Sequence, residues 1–356
     1  MSAETTAETG TEFSTGPGLE PRAAEGEAPP GIGPYRLAAR RLRRNKVALA
    51  FGALFVLIVI LCMLAPVYSH DIAHTGPNSE HVTDQVRVNG KLKDVIAGTG
   101  KNIGTPINPT WFSAHGRFVL GADDNGRDNA VRLLYGGRNS LEIGGVATLI
   151  TMILAILLGT MAGFFRGFAD GVISRILDVI WAYPAVLLGI ALGTALALGG
   201  VNLGLFKLHG NSLMVPAVII GIVYIPYVAK PIRGQVLSLR EKEFVDAARV
   251  QGFGSFRIIF SEILPNLAST ILVFIPLILA NAILLEAGLS YLGAGVQDPN
   301  PSWGTMISDS LPRLTSSPHL VFAPSIMLVL CVLGINVFGD GVRDALDPRA
   351  KVRLEH

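Results

Sequence analysis

The chain has 356 residues, half of them hydrophobic and only 16% charged, with a net charge of +2. Its mean hydropathy of +0.48 lies outside the range of soluble domains, and its few basic residues, grouped between apolar runs, argue against a nucleic-acid-binding surface. Cys62 and Cys331 both fall inside apolar runs, which argues against a disulfide framework or a thiolate metal site.

Residues 1–33 carry almost no large apolar side chains and cannot offset the entropy of ordering, so they read as a disordered cytoplasmic tail. The basic stretch "RRLRRNK", Arg40 to Lys46, precedes the first apolar run, Val47 to Ala65. Residues 34–66 are therefore a basic segment and a first transmembrane helix whose N-terminal end faces the cytoplasm. That run has full span length and no small-residue cleavage site after it, which disfavours a secretory signal. The stretch 67–140 is polar, with scattered Gly, Pro and both charge signs. It is expected to be a partly folded extracytoplasmic insertion ending in a segment that leads into the second span.

Five further runs, Ile143 to Phe165, Val179 to Gly200, Leu213 to Ala229, Leu267 to Leu285 and Leu320 to Phe338, approach the roughly 20 residues needed to cross a bilayer. They form a five-helix core over 141–342, with Pro184, Pro216 and Pro226 expected to bend their helices. An all-α polytopic membrane protein with six transmembrane helices places both termini in the cytoplasm, including the basic tail 343–356. The charges agree: the loop after the fourth span carries Arg233, Arg240, Lys242, Arg249 and Arg257, whereas the short outer loops carry little beyond Lys207 and Arg313.

No GxSxG, HExxH or CxxC pattern marks a catalytic or metal site, and no cofactor is expected. His70, His74 and His81 read as solvated side chains, and "GTGKN", Gly98 to Asn102, as a flexible turn. Arg175 and Asp178 are spaced for an i, i+3 ion pair at the inner start of the third span. Glu286 ends an apolar run near the outer end of the fifth span; a carboxylate at that depth should face the bundle or a watery path, as a helix-pinning group or at an outer gate. The spans otherwise read as free of charge at mid-depth, which argues against an ion-coupled secondary transporter.

"EFVDAARVQGFGSFRIIFSEILPN", Glu243 to Asn266, is charged, amphipathic and broken by Gly252 and Gly254. Phe253, Phe256, Phe260, Ile263 and Leu264 recur at helical spacing, and Phe244, Ala248 and Gln251 mark one side of a preceding short helix. Two short cytoplasmic helices joined by a tight turn follow from this, with Ala247 and Ala248 beside Gly252 forming a low-bulk surface for another protein. An interfacial helix lying on lipid is the competing reading.

This stretch resembles the E-A-A loop of ABC importer permeases: Asp246, Ala247, Ala248, then Gly252, then Ile263, Leu264 and Pro265, with Asp in place of the family's first Glu. "LGADDNGRDNAVRLLYGGRNSL", Leu120 to Leu141, "EAGLSYLGAGVQDPNPSWG", Glu286 to Gly304, and "GDGVRDALDPR", Gly339 to Arg349, resemble the C-type permease of binding-protein-dependent dipeptide, oligopeptide and nickel importers. The resemblance implies a type I ABC importer permease fold in a bacterial plasma (inner) membrane. It implies a sister permease subunit, two ATPase subunits and an extracytoplasmic substrate-binding protein, with the coupling loop within 233–265. ATP hydrolysis on those partners makes this chain no enzyme. Peptide is the substrate the resemblance favours, with nickel complexes, glutathione or glycosides as alternatives. A structural or signalling membrane protein would have no need of the docking loop.

Overall fold

A computed structural model describes residues 34–99, 103–111, 113–199, 201–202, 207–208 and 212–347. The expected tail over 1–33, the end of the basic tail beyond residue 347 and part of the 98–102 turn lie outside the described residues. The basic helix α1 (Pro34–Arg44) leads into α2 (Lys46–Met63), where the Asn45 side chain accepts from the Ala48 N–H at 3.0 Å and caps the first span. α3 (Ala65–Val67) and a π-helical turn, Tyr68–Ala73, then carry the chain into the insertion.

The insertion is more fully folded than its composition suggests. β1 (Gln85–Val88) and β2 (Lys91–Asp94) form an antiparallel hairpin whose turn residues Asn89 and Gly90 have φ of 50° and 80°, as a two-residue hairpin turn requires. Val86, Val88, Val95, Ile107, Ala114, Phe118 and Ala122 bury a small core of their own. His81 is held there by Thr75 and Asp84, each at 2.7 Å.

α4 (Asn129–Phe165) spans about 55 Å at ~1.5 Å per residue and so projects beyond the bilayer. α5 (Gly167–Ala182) and α6 (Ala185–Gly199) meet at Tyr183 and Pro184 with a bend of 92°. The short strands β3 (Val201–Asn202) and β4 (Lys207–Leu208) pair beyond them. α7 (Met214–Val223) and α8 (Ile225–Leu239) run on as one 26-residue span, interrupted at Tyr224 where Pro226 supplies no N–H. Among the described residues, five helices are long and apolar enough to cross a membrane, and the bent pair counted as one span makes six.

α8 leads into α9 (Glu243–Val250), α10 (Ser255–Ile258), a π-helical turn Ile259–Ile263 and α11 (Leu264–Tyr291); α12 (Trp303–Ser310) and α13 (His319–Leu346) complete the fold. α4 is the central post, packed against α2, α7, α8 and α11. Its glycines permit close approach: a Cβ on Gly137 would lie 2.5 Å from both Cys62 Sγ and the Trp303 ring. Trp303 is fully buried, and its indole N–H donates to the Leu133 carbonyl at 3.1 Å. Cys62 and Cys331 are likewise 0% exposed and face other helices.

Candidate functional site

The cytoplasmic end of the bundle is built around α9 and its turn. Val245 and Ala248 face inward into one core with Phe164, Leu177, Ile232, Val236, Ile258, Ile259, Ile263 and Leu267, so the loop is anchored on α4, α5, α8 and α11 at once. Asp246, Ala247 and Val250 face outward, and Asp246 pairs with Arg249 at 2.9 Å.

α9 ends in a Schellman motif. The Phe253 N–H donates to Ala248 O at 3.1 Å and the Gly252 N–H to Arg249 O at 2.9 Å, with Gly252 at φ 80°. A Cβ at Gly252 would meet nothing within 4 Å inside the chain, so a side chain there strains the backbone and occupies space on the outer surface. Beyond the turn, Ile263 is 0% exposed and anchors the second arm, Leu264 is half-buried and Pro265 is exposed in the first turn of α11. The seven residues singled out in the sequence, Asp246, Ala247, Ala248, Gly252, Ile263, Leu264 and Pro265, thus belong to one anchored loop.

The phenylalanine periodicity does not mark its buried face. Ile258, Ile259 and Ile263 are buried, whereas Phe256 and Phe260 are 72% and 67% exposed. They project outward with Val250 as apolar surface at the cytoplasmic end. Phe256 packs edge-on against Phe165 at 6.2 Å.

Ion pairs tie α8, which carries the loop, to α5. Arg233 donates through Nε and Nη2 to the two carboxylate oxygens of Asp170 at 2.5 and 2.6 Å, the bidentate geometry that fixes orientation as well as distance. Arg166 pairs with Glu241, and Arg240 donates to the Phe164 carbonyl. Asp178 pairs with Lys230 at 2.7 Å. That corrects the expected local pair with Arg175, and sequence spacing had no means of finding a partner on another helix.

At the outer end, Glu286 is 0% exposed. Its Oε1 accepts from Ser290 Oγ at 2.7 Å, its Oε2 accepts no hydrogen bond, and the Ser140 and Ser302 hydroxyls lie close to the same carboxyl group. These serines also accept backbone N–H groups: Val296 at Ser290, Trp303 at Ser140 and Thr305 at Ser302. Glu286 therefore joins α4, α11 and α12 inside this chain. Asn139 adds a bond from Nδ2 to the Pro301 carbonyl at 2.7 Å, so the stretches 120–141 and 286–304 recognise each other.

Asp128 caps α4 at that end, accepting from Ala130, Val131 and Phe118 N–H groups at 2.9, 3.2 and 2.6 Å. Burial nevertheless pushes its carboxyl above the usual range, against the pull of those N–H groups and Arg117. Asp123 receives Arg127 at 2.6 Å and Arg132 at 3.5 Å, and Arg313 reaches Asp124 at 2.8 Å. Burial and neighbouring Asp298 likewise raise Asp309.

A polytopic helical bundle with an anchored, outward-facing loop at its basic cytoplasmic end is the architecture of a membrane-embedded transport subunit. Residues 155–352 match the family described as binding-protein-dependent transport system inner membrane component, and residues 33–83 match the N-terminal transmembrane domain of oligopeptide transport permease C. The chain belongs to this family of ABC importer permeases. It is 36% identical over 321 residues to a dipeptide transport system permease protein of Alkalihalophilus pseudofirmus, covering 90% of this chain and 91% of the relative. It is 35% identical to an oligopeptide transport system permease protein of Bacillus subtilis (89% and 90% covered). It is 34% identical to a glutathione transport system permease protein of Pectobacterium atrosepticum (89% and 92% covered). A chain of the inward-facing MetNI methionine ABC transporter aligns with a TM-score of 0.49 and 16% identity, over 60% of this chain and 96% of that one. The chain is thus a non-enzymatic, multi-pass membrane component of an importer.

Proposed function

We propose that this chain forms one half of the translocation pathway of an ATP-driven importer of peptides. A sister permease supplies the other half, two ATPase subunits dock on the cytoplasmic face, and an extracytoplasmic binding protein delivers the substrate. The observation that carries this reading is the anchored loop. Val245 and Ala248 lock α9 into the core while Asp246, Ala247 and Val250 stay outside, so a force on the outer surface moves α8 and α11 together. Closure of the ATPase pair would push on that surface, and rigid helices would pass the motion to the gate.

Peptide is favoured over nickel complexes and glycosides because relatives covering most of this chain are named for dipeptide, oligopeptide and glutathione transport. Glu286 serves the outer gate indirectly, by holding α4, α11 and α12 in register. The coupling loop occupies 233–265, and the insertion, about Val67 to Arg117, faces the binding protein or the sister subunit.

The test is reconstitution. The chain copurified with its partners and sealed in proteoliposomes imports labelled di- and oligopeptides on addition of ATP and binding protein. Mass spectrometry of ligand released from the binding protein identifies a peptide. Import of a metal complex or glycoside with no peptide uptake would overturn the substrate assignment. Recovery without any ATPase subunit would overturn the importer architecture.

A further inference from the structure

Two charged side chains pair where the third and fourth apolar runs reach their inner ends: Asp178 directly precedes the run that starts at Val179, and Lys230 directly follows the run that ends at Ala229. Lys230 of α8 sits about 24 Å from Met214 along the continuous span at roughly 1.5 Å per residue, still inside a hydrocarbon core of about 30 Å. Its ammonium lies 2.7 Å from Asp178 of α5 and 3.7 Å from the centroid of the Trp181 ring. Tyr227 stands 5.8 Å from Trp181 and 5.4 Å from Tyr224, whose hydroxyl donates to the Asn281 carbonyl at 3.3 Å.

This cluster is open. The Lys230 side chain is 27% exposed, that of Asp178 49%, Trp181 47% and Tyr227 40%. The chain's other exposed membrane surface is different in kind: on α2 it is Val47, Leu49, Val56, Leu57, Ile60 and Leu61. An ammonium and a carboxylate set against acyl chains would be costly, whereas ionisable groups at this depth characteristically face a watery path. Bracing α5 on α8 does not require this pair, because the bidentate Asp170–Arg233 contact already does so nearer the cytoplasm.

We propose that this patch lines the translocation path and handles the peptide in transit, an inference that rests on the peptide-importer reading. Lys230 receives the peptide's terminal carboxylate and Asp178 its terminal ammonium, exchanging their mutual contact for contacts with the zwitterion. Trp181 and Tyr227 offer ring faces to side chains of any kind. Every free peptide carries one charge of each sign at its ends, so such a surface serves substrates of many sequences.

The experiment places a cysteine at Tyr227 in the full complex in proteoliposomes. Both natural cysteines of this chain are 0% exposed, so label found on this chain after the subunits are separated reports the new thiol. Y227C is expected to react with a charged, water-soluble thiol reagent, and more slowly while peptide is being pumped. Reaction only after denaturation would mean that the sister subunit covers the patch. Reaction only with an apolar maleimide would mean that lipid does. Either result overturns the proposal, as does labelling that peptide turnover leaves unchanged. In parallel, Lys230→Gln should lower peptide uptake about tenfold, the loss expected when a hydrogen bond to a charged group is removed; wild-type uptake would refute the contact. A wild-type complex that imports no peptide at all would instead sink the substrate reading.

Discussion

Glu286 shows how one residue type can serve two ends. A carboxyl group at membrane depth invites a gating role, yet this one is enclosed by Ser140, Ser290 and Ser302 and does not reach the surface of the chain. Glu286→Gln keeps the size of the side chain but puts an amide nitrogen in place of one oxygen. The Ser290 hydroxyl donates to Oε1 whereas Oε2 accepts no hydrogen bond, so Gln keeps the Ser290 bond only with its amide nitrogen at the Oε2 position, among serine hydroxyls that must turn to accept from it. The expected outcome is a lower Tm for the purified complex with the pH profile of uptake unchanged; a shifted pH profile at unchanged Tm would assign the charge itself to the gate. Its burial follows from the small residues and serines around it, but the sequence does not show that Ser140, far away along the chain, completes the cluster.

On the proposed reading α8 matters most for transmission among the elements, because it joins the core, the ion pairs to α5 and the loop around Gly252. Asp170→Asn breaks the bidentate contact with Arg233 while leaving the apolar anchor of Val245 and Ala248 in place. Peptide imported per ATP hydrolysed should fall, while the copurified ATPase stays at the wild-type level. An unchanged ratio would reduce the pair to simple bracing. Much at this scale was legible in the sequence: the apolar runs gave the spans, Pro184 marked the break and the two glycines marked the turn. The 92° angle was not, since a proline signals where a helix yields and not how far. Helical periodicity identifies an apolar face but not whether the fold buries it, and Phe256 and Phe260 point out. The Asp178–Lys230 pair was beyond reach because only the folded bundle brings the two helices together.

For the whole molecule, the folded insertion after α2 and the loop around Gly252 are joined by α4 and α11. The insertion's core was invisible in sequence because its seven buried residues come from short, separated stretches with no shared period. Its hairpin presents Arg87, Lys91 and Lys93 to solvent, and on the proposed reading these meet the binding protein or the sister subunit. Replacing both lysines by glutamate should weaken binding-protein affinity in a salt-dependent way without altering basal ATP hydrolysis. Unchanged affinity and unchanged uptake would remove the hairpin from the interface. The central claim is that the loop around Gly252 couples ATP hydrolysis to transport. Gly252→Asp tests it most directly, because a non-glycine side chain at φ 80° costs about 1 kcal/mol and the added carboxylate must lose water on docking. The measurement is ATPase copurified per permease together with the hydrolysis stimulated by loaded binding protein in proteoliposomes. Both should collapse while the variant inserts normally; wild-type values for both would contradict the account and leave α9 and α10 as helices lying on lipid.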